Sequence, residues 1–510
     1  MRLRQDERAA YEMGVRLRRP VQASRRDLLA GGMATLLSGV AARSLASPHA
    51  DVWARADAIA ARIASPRIPR RTFAVRTFGA KSDGRTDDSA AIARTIAACA
   101  AAGGGRILLP AGTTLTGPIR LQSRMNLHLP RGARLKFLTD PARYLPPVHT
   151  RWEGVELMGY QPLIYAFEAE DIALTGDGVI DGSADDRHWW PWKGPWGGRF
   201  DDVPERERQA ADRAALFDMA ERGVPVAQRV FGEGSRLRPS FFQPYRCRRV
   251  LMEGIRVEAA PFWQVHPVEC TDVTFRRVTC ASHGPNNDGI DPESCNGVLI
   301  DRCVFDTGDD CIAIKAGRNA DGRRLAIPCE NVVIRGCVMK DGHAGVAIGS
   351  ELTGGVRNVF VQDCRMDSPA LTRALIIKSN SYRGGSVEDI HLRRIAAGAI
   401  DKAFIQIWML YEEGEGGGHV PHVARVSAQD CTIASTERVL IVRGLPHAPV
   451  RGLRLVNIRV GKEARPSVAV DVDPIELDRV VVNGHPWNGD TLRRLPGADS
   501  IRCDKWAVCR

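Results

Sequence analysis

Residues 298–315 read VLIDRCVFDTGDDCIAIK, and this stretch contains the unit from which we predict the fold. A short strand of alternating apolar and polar residues is followed by a turn and then by a second apolar strand. The units are spaced by roughly 20–35 residues, a period typical of solenoids. The same opening pattern returns elsewhere in the chain, starting at Val250, Val273, Val332, Val359, Ile390, Val423 and Leu453.

The repeat predicts an all-β chain folded as a right-handed parallel β-helix. One short strand pair cannot bury its apolar face alone, so neighbouring coils must stack at about 4.8 Å per strand. A β-sandwich is the main alternative, but it does not explain why turn residues and cysteines keep their phase. Because the cysteines recur at one place in the repeat, we expect small buried residues stacked in the core rather than a disulfide framework. They are Cys280, Cys303, Cys337 and Cys364.

Two segments interrupt the repeat. Residues 87–102 are rich in alanine and have a helical period, so we predict a helix that caps the N-terminal end of the solenoid. Residues 184–245 are predicted to form an insertion that includes a charged amphipathic helix between Pro204 and Arg222. The insertion begins with four of the chain's ten tryptophans, which anchor the loop or form a platform on which a sugar stacks.

The N-terminal sequence has the order of a twin-arginine export signal. Arg25 and Arg26 precede a moderately apolar stretch, which ends in the small residues of a cleavage site at Ala46. We therefore expect a signal peptide at residues 1–46, starting at Met1 or Met13, and a single β-helix domain at residues 47–510. The expected location is the periplasm or the cell exterior.

Composition adds weak constraints. The formal net charge is +11, of which residues 1–46 contribute +5. The remaining charge of about +6 suits an acidic polymer as substrate, although a mildly basic surface is compatible with much else. The 13 cysteines show no zinc-type spacing, and Cys503 and Cys509 are candidates for a disulfide after export. We expect neither a nucleic-acid partner nor a membrane partner, and we expect a monomer.

Two acidic clusters carry the candidate chemistry. Asp288 lies 21 residues before Asp309, and Asp310 follows directly. One repeat apart, these carboxylates would share one wall of the solenoid, where they could supply the acid and the base that glycoside hydrolysis needs. Adjacent residues of a regular strand point to opposite faces, so both Asp309 and Asp310 can serve only if the turn at Gly308 twists the backbone. The alternative is an Asp-rich turn that bonds its own backbone, which we accept for Asp301, Asp306 and Asp363.

Two further side chains follow in phase. His343 has small neighbours and could reach the acidic cluster to tune its pKa. Lys378, one unit further on, could bind a substrate carboxylate. Each alone would be read as a structural residue.

Four ordered motifs make the chain resemble the polygalacturonases, glycoside hydrolase family 28. They are PNNDGID at 285–291, GDDCIAIK at 308–315, GHAGVAIGS at 342–350, and Ile377-Lys378. The opening FGAKSDGRTD at 78–87 is similar too, although other β-helix proteins share it. The resemblance covers about residues 73–490 and implies a pectin-lyase-like solenoid.

The resemblance also implies roles. Asp309 would be the general acid, Asp288 and Asp310 would activate water, and His343 would support the acid. Asn286, Lys378 and, as a weaker match, Tyr411 would bind sugar. The implied reaction is inverting hydrolysis of α-1,4-galacturonosyl bonds without a metal or other cofactor.

The most important departure from the family's motifs lies at Ile376. The usual Arg-Ile-Lys is Ile376-Ile377-Lys378 here, so the arginine that helps to hold a galacturonate carboxylate is missing. Arg373 and Arg383 are candidates to compensate. The insertion, with FGEG at 231–234 and RPS at 238–240, resembles exo-acting bacterial members, whose loops close one end of the groove.

The sequence therefore predicts an exported hydrolase that releases galacturonic acid from the ends of pectic chains. Three alternatives stay open at this point. The first is hydrolysis of a rhamnogalacturonan-type bond, suggested by the missing arginine. The second is a pectate lyase, which would need Ca²⁺ and an arginine base. The third is a β-helix that binds glycans without cleaving them.

Overall fold

The structure, a computed structural model, describes residues 48–488. The predicted signal peptide and the pair Cys503 and Cys509 lie outside this range. Among the described residues, no helix is both long and apolar enough to cross a bilayer. The α-helices are α1 (Pro48–Arg62), α2 (Ser89–Ala101), α3 (Ala210–Glu221) and α4 (Asn319–Leu325). Short 3-10 helices lie at Val75–Phe78, Pro141–Tyr144, Trp190–Lys193, Glu205–Glu207 and Val226–Gln228.

Short strands make up most of the rest. They are β1 (Thr72–Ala74), β2 (Asp83–Asp87), β3 (Gly105–Leu108), β4 (Gly112–Thr116), β5 (Ile119–Leu121), β6 (Met125–Leu129), β7 (Ala133–Phe137), β8 (Val148–Trp152), β9 (Val155–Gly159), β10 (Ile164–Phe167), β11 (Glu170–Gly176), β12 (Val179–Asp181), β13 (Val230–Phe231), β14 (Phe242–Tyr245), β15 (Arg248–Glu253), β16 (Arg256–Glu258), β17 (Thr271–Arg276), β18 (Thr279–Ser282), β19 (Asn296–Asp301), β20 (Val304–Thr307), β21 (Ala313–Ile314), β22 (Cys329–Arg335), β23 (Val338–Met339), β24 (Val346–Ile348), β25 (Val356–Gln362), β26 (Arg365–Met366), β27 (Arg373–Lys378), β28 (Ser386–Arg393), β29 (Ala396–Trp408), β30 (His422–Arg443), β31 (Arg451–Glu463), β32 (Val468–Val470), β33 (Ile475–Val482) and β34 (His485–Pro486).

The strands stack into three walls of parallel ladders. The first wall runs through β3, β6, β11, β15, β17, β19, β22, β25, β28 and β30. The second runs through β2, β4, β7, β12, β16, β18, β20, β23, β26 and β29. The third starts at β5, β10 and β14, continues through single bridges at Val265, Ile290 and Ile312, and resumes in β21, β24 and β27. The architecture confirms the predicted right-handed parallel β-helix.

The interior is filled by stacked apolar residues from all three walls. In-register pairs such as Val298 on Val332 and Val332 on Val359 show how equivalent positions of successive coils meet. The four recurring cysteines are free and almost fully buried, as predicted. Burial of such matched rows removes apolar surface that no single coil could cover.

The interruptions are partly as predicted. Helix α2 packs on β1, β3, β4 and β5, which confirms a cap on the first coil. The insertion ends earlier than predicted, because β14 already belongs to the third wall. Its α-helix begins at Ala210 rather than near Pro204, where the chain forms a 3-10 turn.

Helix α1 was not predicted. Trp53 packs edge-to-face on Phe360, with ring centroids 5.9 Å apart, and covers an apolar patch on the outer face of the first wall. The tryptophans of the insertion serve as anchors at two positions. Trp189 is 2 % exposed, and the indole N–H of Trp190 donates to the Ala260 carbonyl at 2.9 Å. A sugar platform on Trp192 and Trp196 stays a prediction.

Candidate active site

The outer face of the third wall carries a row of side chains in register. From one coil to the next the row contains Gln243, His266, Asp291, Ala313, Ala347, Ile376 and Gln406. Their neighbours in sequence, such as Ile290, Ile312 and Ile377, face the core. The alternation follows from the two-residue period of a strand, so chemistry placed on this face is held on a rigid surface.

The three predicted carboxylates meet beside this row. Asp288, Asp309 and Asp310, here called the acidic triad, each offer an oxygen within 4.8 Å of the other two. The turns that carry them are stacked by backbone hydrogen bonds, because the Gly289 N–H donates to the Asp310 carbonyl at 2.9 Å. The spacing of 21 residues therefore does place the two acidic segments side by side.

The turn at Gly308 brings both neighbouring aspartates to one side. A side chain at Gly308 would meet the carbonyl oxygen of Gly284 at 2.7 Å, so this close approach requires glycine. The Asp310 N–H donates to Oδ1 of Asp309 at 2.9 Å, and the Thr307 hydroxyl donates to the Asp309 carbonyl. The irregular backbone at Gly308 thus allows Asp309 and Asp310, although adjacent in sequence, to face the same side.

Two cations hold the triad. Nδ1 of His343 lies 2.9 Å from Oδ1 of Asp309, and Nζ of Lys378 donates to Oδ2 of Asp310 at 2.7 Å. Lys315, from the same motif as the aspartates, stands 3.7 Å from Oδ2 of Asp288. The structure therefore brings His343 and Lys378 to the triad as predicted, and it adds Lys315.

Several buried oxygens of the site lack a protein partner. Among residues 48–488, no donor reaches Oδ1 of Asp288, Oδ1 of Asp310 or either carboxylate oxygen of Asp291. All three residues are at most 3 % exposed. Buried polar atoms are normally hydrogen-bonded, so unpartnered ones mark positions where water or a ligand acts.

The environment shifts the pKa values of Asp288 and Asp309 in opposite directions. Burial, together with the charges of Asp291 and Asp309, raises the pKa of Asp288 well above its usual range. Burial acts in the same direction on Asp309, but the charge and hydrogen bond of His343, together with the charges of Lys378 and Lys315, outweigh it and hold the pKa of Asp309 well below its usual range. The attraction of Asp309 raises the pKa of His343 to about 9. In the free protein, His343 therefore holds the proton of this pair.

The predicted sugar-binding residues lie around the triad. Tyr411 is 8 % exposed, and the ammonium of Lys378 lies 5.7 Å from the centre of its ring. Asn286 is half-buried and has a backbone φ of +55°. Its neighbour Asn287, which was not predicted, fixes the turn by donating to the carbonyls of Ala260 and Phe262, both at 3.1 Å.

The position of the missing arginine is apolar. Ile376 is 3 % exposed and packs with Ala344, Ala347, Trp408 and Tyr411. Arg383 does not compensate, because it is bound to Glu412 and Glu413 at 2.9 and 3.1 Å. Arg373 lies next to a residue of the site, since its guanidinium donates to the His343 carbonyl at 3.5 Å and also to Gln406.

One end of the outward row is covered. The hairpin β8–β9 lies over Gln243, which donates to the Arg151 carbonyl at 3.3 Å and accepts from Thr150 at 2.5 Å. Beneath the hairpin, Arg151 pairs with Glu293 at 3.3 Å and with Glu269. Helix α3 and helix α4 both pack on β9. The sequence assigned this closure to the insertion, but the hairpin that precedes the insertion supplies the cover over Gln243.

The covered residues form a second group of buried charges, here called the covered cluster. It consists of Arg151 with Glu156, Glu269 and Glu293. Nε2 of His266 lies 2.8 Å from the second oxygen of Glu293. The acidic triad lies beside this cluster, because Glu293 belongs to the same coil as Asp288 and Asp291 follows His266 in the row.

Comparison with known proteins agrees with this geometry. The family model for glycosyl hydrolases family 28 matches residues 228–439. A second model, Rhamnogalacturonase A/epimerase, pectate lyase-like, matches residues 72–128. A probable polygalacturonase from Vitis vinifera is 26% identical over 78% of this chain and 77% of its own length. An exo-poly-alpha-D-galacturonosidase from Dickeya chrysanthemi is 24% identical over 67% of this chain and 58% of its own.

A solved structure is more similar still. The hyperthermoactive exopolygalacturonase from Thermotoga maritima is 41% identical, with a TM-score of 0.82 over 86% of this chain and 97% of that protein. Sequence identity of 41% over nearly the whole length of a relative indicates a shared family and not only a shared fold. The stacked wall, the acidic triad and these similarities together show that the chain belongs to glycosyl hydrolases family 28.

Proposed function

We propose that this protein is an exo-acting hydrolase that releases galacturonic acid from the ends of pectic chains by cleaving α-1,4-galacturonosyl bonds. The observation that carries the exo mode is the cover on the third wall. A polymer could lie along an open wall in both directions, but here the hairpin covers Gln243, and its Arg151 pairs with Glu293 in the coil that carries Asp288. Exo-acting relatives support the same mode.

The geometry supports specific roles in an acid–base mechanism. Asp309 donates a proton to the glycosidic oxygen while the bond from that oxygen to C1 breaks. A water molecule between Asp288 and Asp310 attacks C1 and gives its proton to one of these carboxylates. Oδ1 of each has no protein donor within residues 48–488, so each can accept from that water.

His343 supplies the acid with its proton. In the free protein the imidazole holds the proton and Asp309 is ionised. The proton must pass to Asp309 as the leaving oxygen approaches, so the pair acts as one donor. Inversion stays a prediction from the family resemblance. The triad oxygens are closer together than the about 6.5–9.5 Å that separates the carboxyl groups in most inverting enzymes, so this prediction needs its own test. Proton NMR, which identifies the first-formed anomer of the product, provides it.

Substrate binding follows from the surrounding side chains. Lys378, Asn286 and Tyr411 are proposed to contact the terminal sugar. Lys378 also holds Asp310, so it can bridge a sugar carboxylate and the triad. The pectic glycan is the proposed partner. Export through the twin-arginine route, the monomeric state and the absence of a metal remain predictions, of which a chelator assay tests the last.

Hydrolysis of a rhamnogalacturonan-type bond is the second candidate, and Ile376 favours it. An apolar side chain offers no charge to a galacturonate carboxylate at that position. Membership of a hydrolase family argues against the non-catalytic alternative, and a lyase would lose its activity in a chelator and form unsaturated products.

Separating products over time distinguishes these candidates. The protein is incubated with defined oligomers of galacturonan and of rhamnogalacturonan, in buffer with and without chelator. We expect galacturonic acid monomer from galacturonan within the first minutes, in both buffers. Mixed oligomers at early times would contradict the exo mode. Cleavage of rhamnogalacturonan alone would replace the proposed substrate.

A further inference from the structure

Arg238 is a fully buried cation next to the acidic triad. It lies between β13 and β14 and is 0 % exposed. Its guanidinium donates to the carbonyls of Pro261 and Pro285 at 2.9 and 2.7 Å, and to Oδ1 of Asn286 at 2.7 Å. Its Nε donates to the side chain of Gln209 at 3.2 Å. Every one of these partners is neutral.

Comparable arginines of this protein are paired with carboxylates. Three others in the described chain have less than 2 % exposure: Arg151, Arg229 and Arg383. Arg151 pairs with Glu293, Arg229 with Asp321 and Arg383 with Glu412. Within residues 48–488, Arg238 has no carboxylate in such contact. A buried charge without a direct partner is costly, so its retention calls for an explanation.

The charges that compensate Arg238 are Glu153, in the turn between β8 and β9, followed by Asp288 and Asp309 of the triad. Burial lowers the pKa of Arg238 to about 9, and the carboxylates Glu153, Asp288 and Asp309 oppose that change. The guanidinium is therefore a cation at neutral pH. The attraction is mutual, so Arg238 favours the ionised form of Asp288, whereas burial and Asp291 favour the neutral form.

Arg238 also fixes the orientation of the Asn286 amide. A guanidinium can only donate, so the atom of Asn286 that faces it must be the oxygen. The amide nitrogen is then directed away from Arg238, where its two hydrogens are available to a hydroxyl or carboxylate of the sugar. Asn286 has a backbone φ of +55° and lies two residues before Asp288.

We propose that Arg238 is a positioning residue with two effects: it presents the amide nitrogen of Asn286 to the substrate, and its charge favours the ionised form of Asp288, which acts as a base. The inference deepens the proposed function and rests on it. The charged groups facing Asp288 are Asp291, Asp309, Asp310, Lys315 and Arg238, and those facing Arg238 also include Glu153 and Lys193.

Three variants separate these effects. Arg238→Met removes both the charge and the donors, whereas Arg238→Lys keeps the charge but lacks the planar set of donors. Arg229→Met is the control, because Arg229 is equally buried but is paired with Asp321 and makes no contact with the triad. Profiles of kcat/KM against pH and values of KM are measured on the oligomer that the wild type cleaves.

We expect KM to rise about tenfold in both Arg238 variants, equivalent to about 1.4 kcal/mol. The low-pH limb, which reports ionisation of the base, should move up by about one pH unit in Arg238→Met and stay in place in Arg238→Lys. Arg229→Met should unfold at a lower temperature with an unshifted limb.

A limb that stays in place in Arg238→Met, or shifts equally in Arg229→Met, would overturn the electrostatic role. If Arg238→Met does not fold, Arg238→Gln takes its place, and the same two outcomes decide. An unchanged KM in Arg238→Lys would overturn the positioning of Asn286. A wild type that cleaves another glycan sinks the proposed substrate but leaves this comparison intact, because each variant is measured against the wild type.

Discussion

The acidic triad and the covered cluster lie on the same wall, yet they treat buried carboxylates in opposite ways. In the covered cluster, Glu293 has a partner at each oxygen, Arg151 at 3.3 Å and His266 at 2.8 Å. In the triad, Asp288 and Asp310 each keep an oxygen with no donor from the described chain. Both groups are buried, so burial alone does not mark the active site.

The difference also appears in the titration of the two groups. Burial acts to raise the pKa of Glu156, but hydrogen bonds from His149 and the charge of Arg151 hold it well below its usual range. Asp288 is shifted the other way. A buried carboxylate that is fully paired is typical of a structural site, whereas one whose pKa is raised by repulsion from its neighbours is typical of a functional site. The site is thus recognised by unmatched charge.

The largest expected effect breaks the triad itself. Changing Asp309→Asn removes the proposed proton donor, so kcat should fall by about 10³-fold or more. The fold should survive, as circular dichroism and thermal unfolding can check. Asp306→Asn is the matched control. It lies three residues earlier and is bound to His283 at 2.8 Å rather than to the triad, so its activity should stay within a few-fold of wild type. Near-wild-type turnover of Asp309→Asn would contradict the assignment.

Breaking the covered cluster should cost stability instead. Glu293→Gln leaves the buried Arg151 with less opposing charge, and the loss of one partner of a buried ion pair typically costs about 3–5 kcal/mol. Chemical denaturation measures this change. A variant as stable as wild type would show that the two clusters do not differ in the way described.

The pairing of His343 with Asp309 predicts how the activity of the triad depends on pH. In the wild type the pair keeps its proton up to a pKa of about 9, so activity should fall only above that pH. In His343→Gln the proton rests on a carboxyl without the cation, so the high-pH limb should move down by about one pH unit or more. His283→Gln, a histidine paired with Asp306, should leave the limb unchanged. A limb that does not move in His343→Gln would contradict the shared-proton account.

Much of the fold and most of the site followed from the sequence. The alternation in residues 298–315 determines which side chains face the core, and the 21-residue interval from Asp288 to Asp309 places two turns side by side. Lys315 lies inside the same motif, and its place in the strand alternation could have revealed it.

Other features depend on contacts distant in sequence. Arg238 meets carbonyls of Pro261 and Pro285, whose positions depend on two further turns. The hairpin β8–β9 reads in sequence like any other strand pair, so its place over the wall could not be predicted. Helix α1 was hidden by its nearness to the predicted cleavage site.

The most direct test of the unmatched triad is the stability of Asp288→Asn as a function of pH. The folded pKa of Asp288 is raised above its unfolded value, so its contribution to stability is present below about pH 4 and is lost as pH rises through the folded pKa. We therefore predict that Asp288→Asn unfolds at a higher temperature than wild type at pH 7, and that this gain vanishes near pH 4. A variant less stable than wild type at pH 7 would contradict the account.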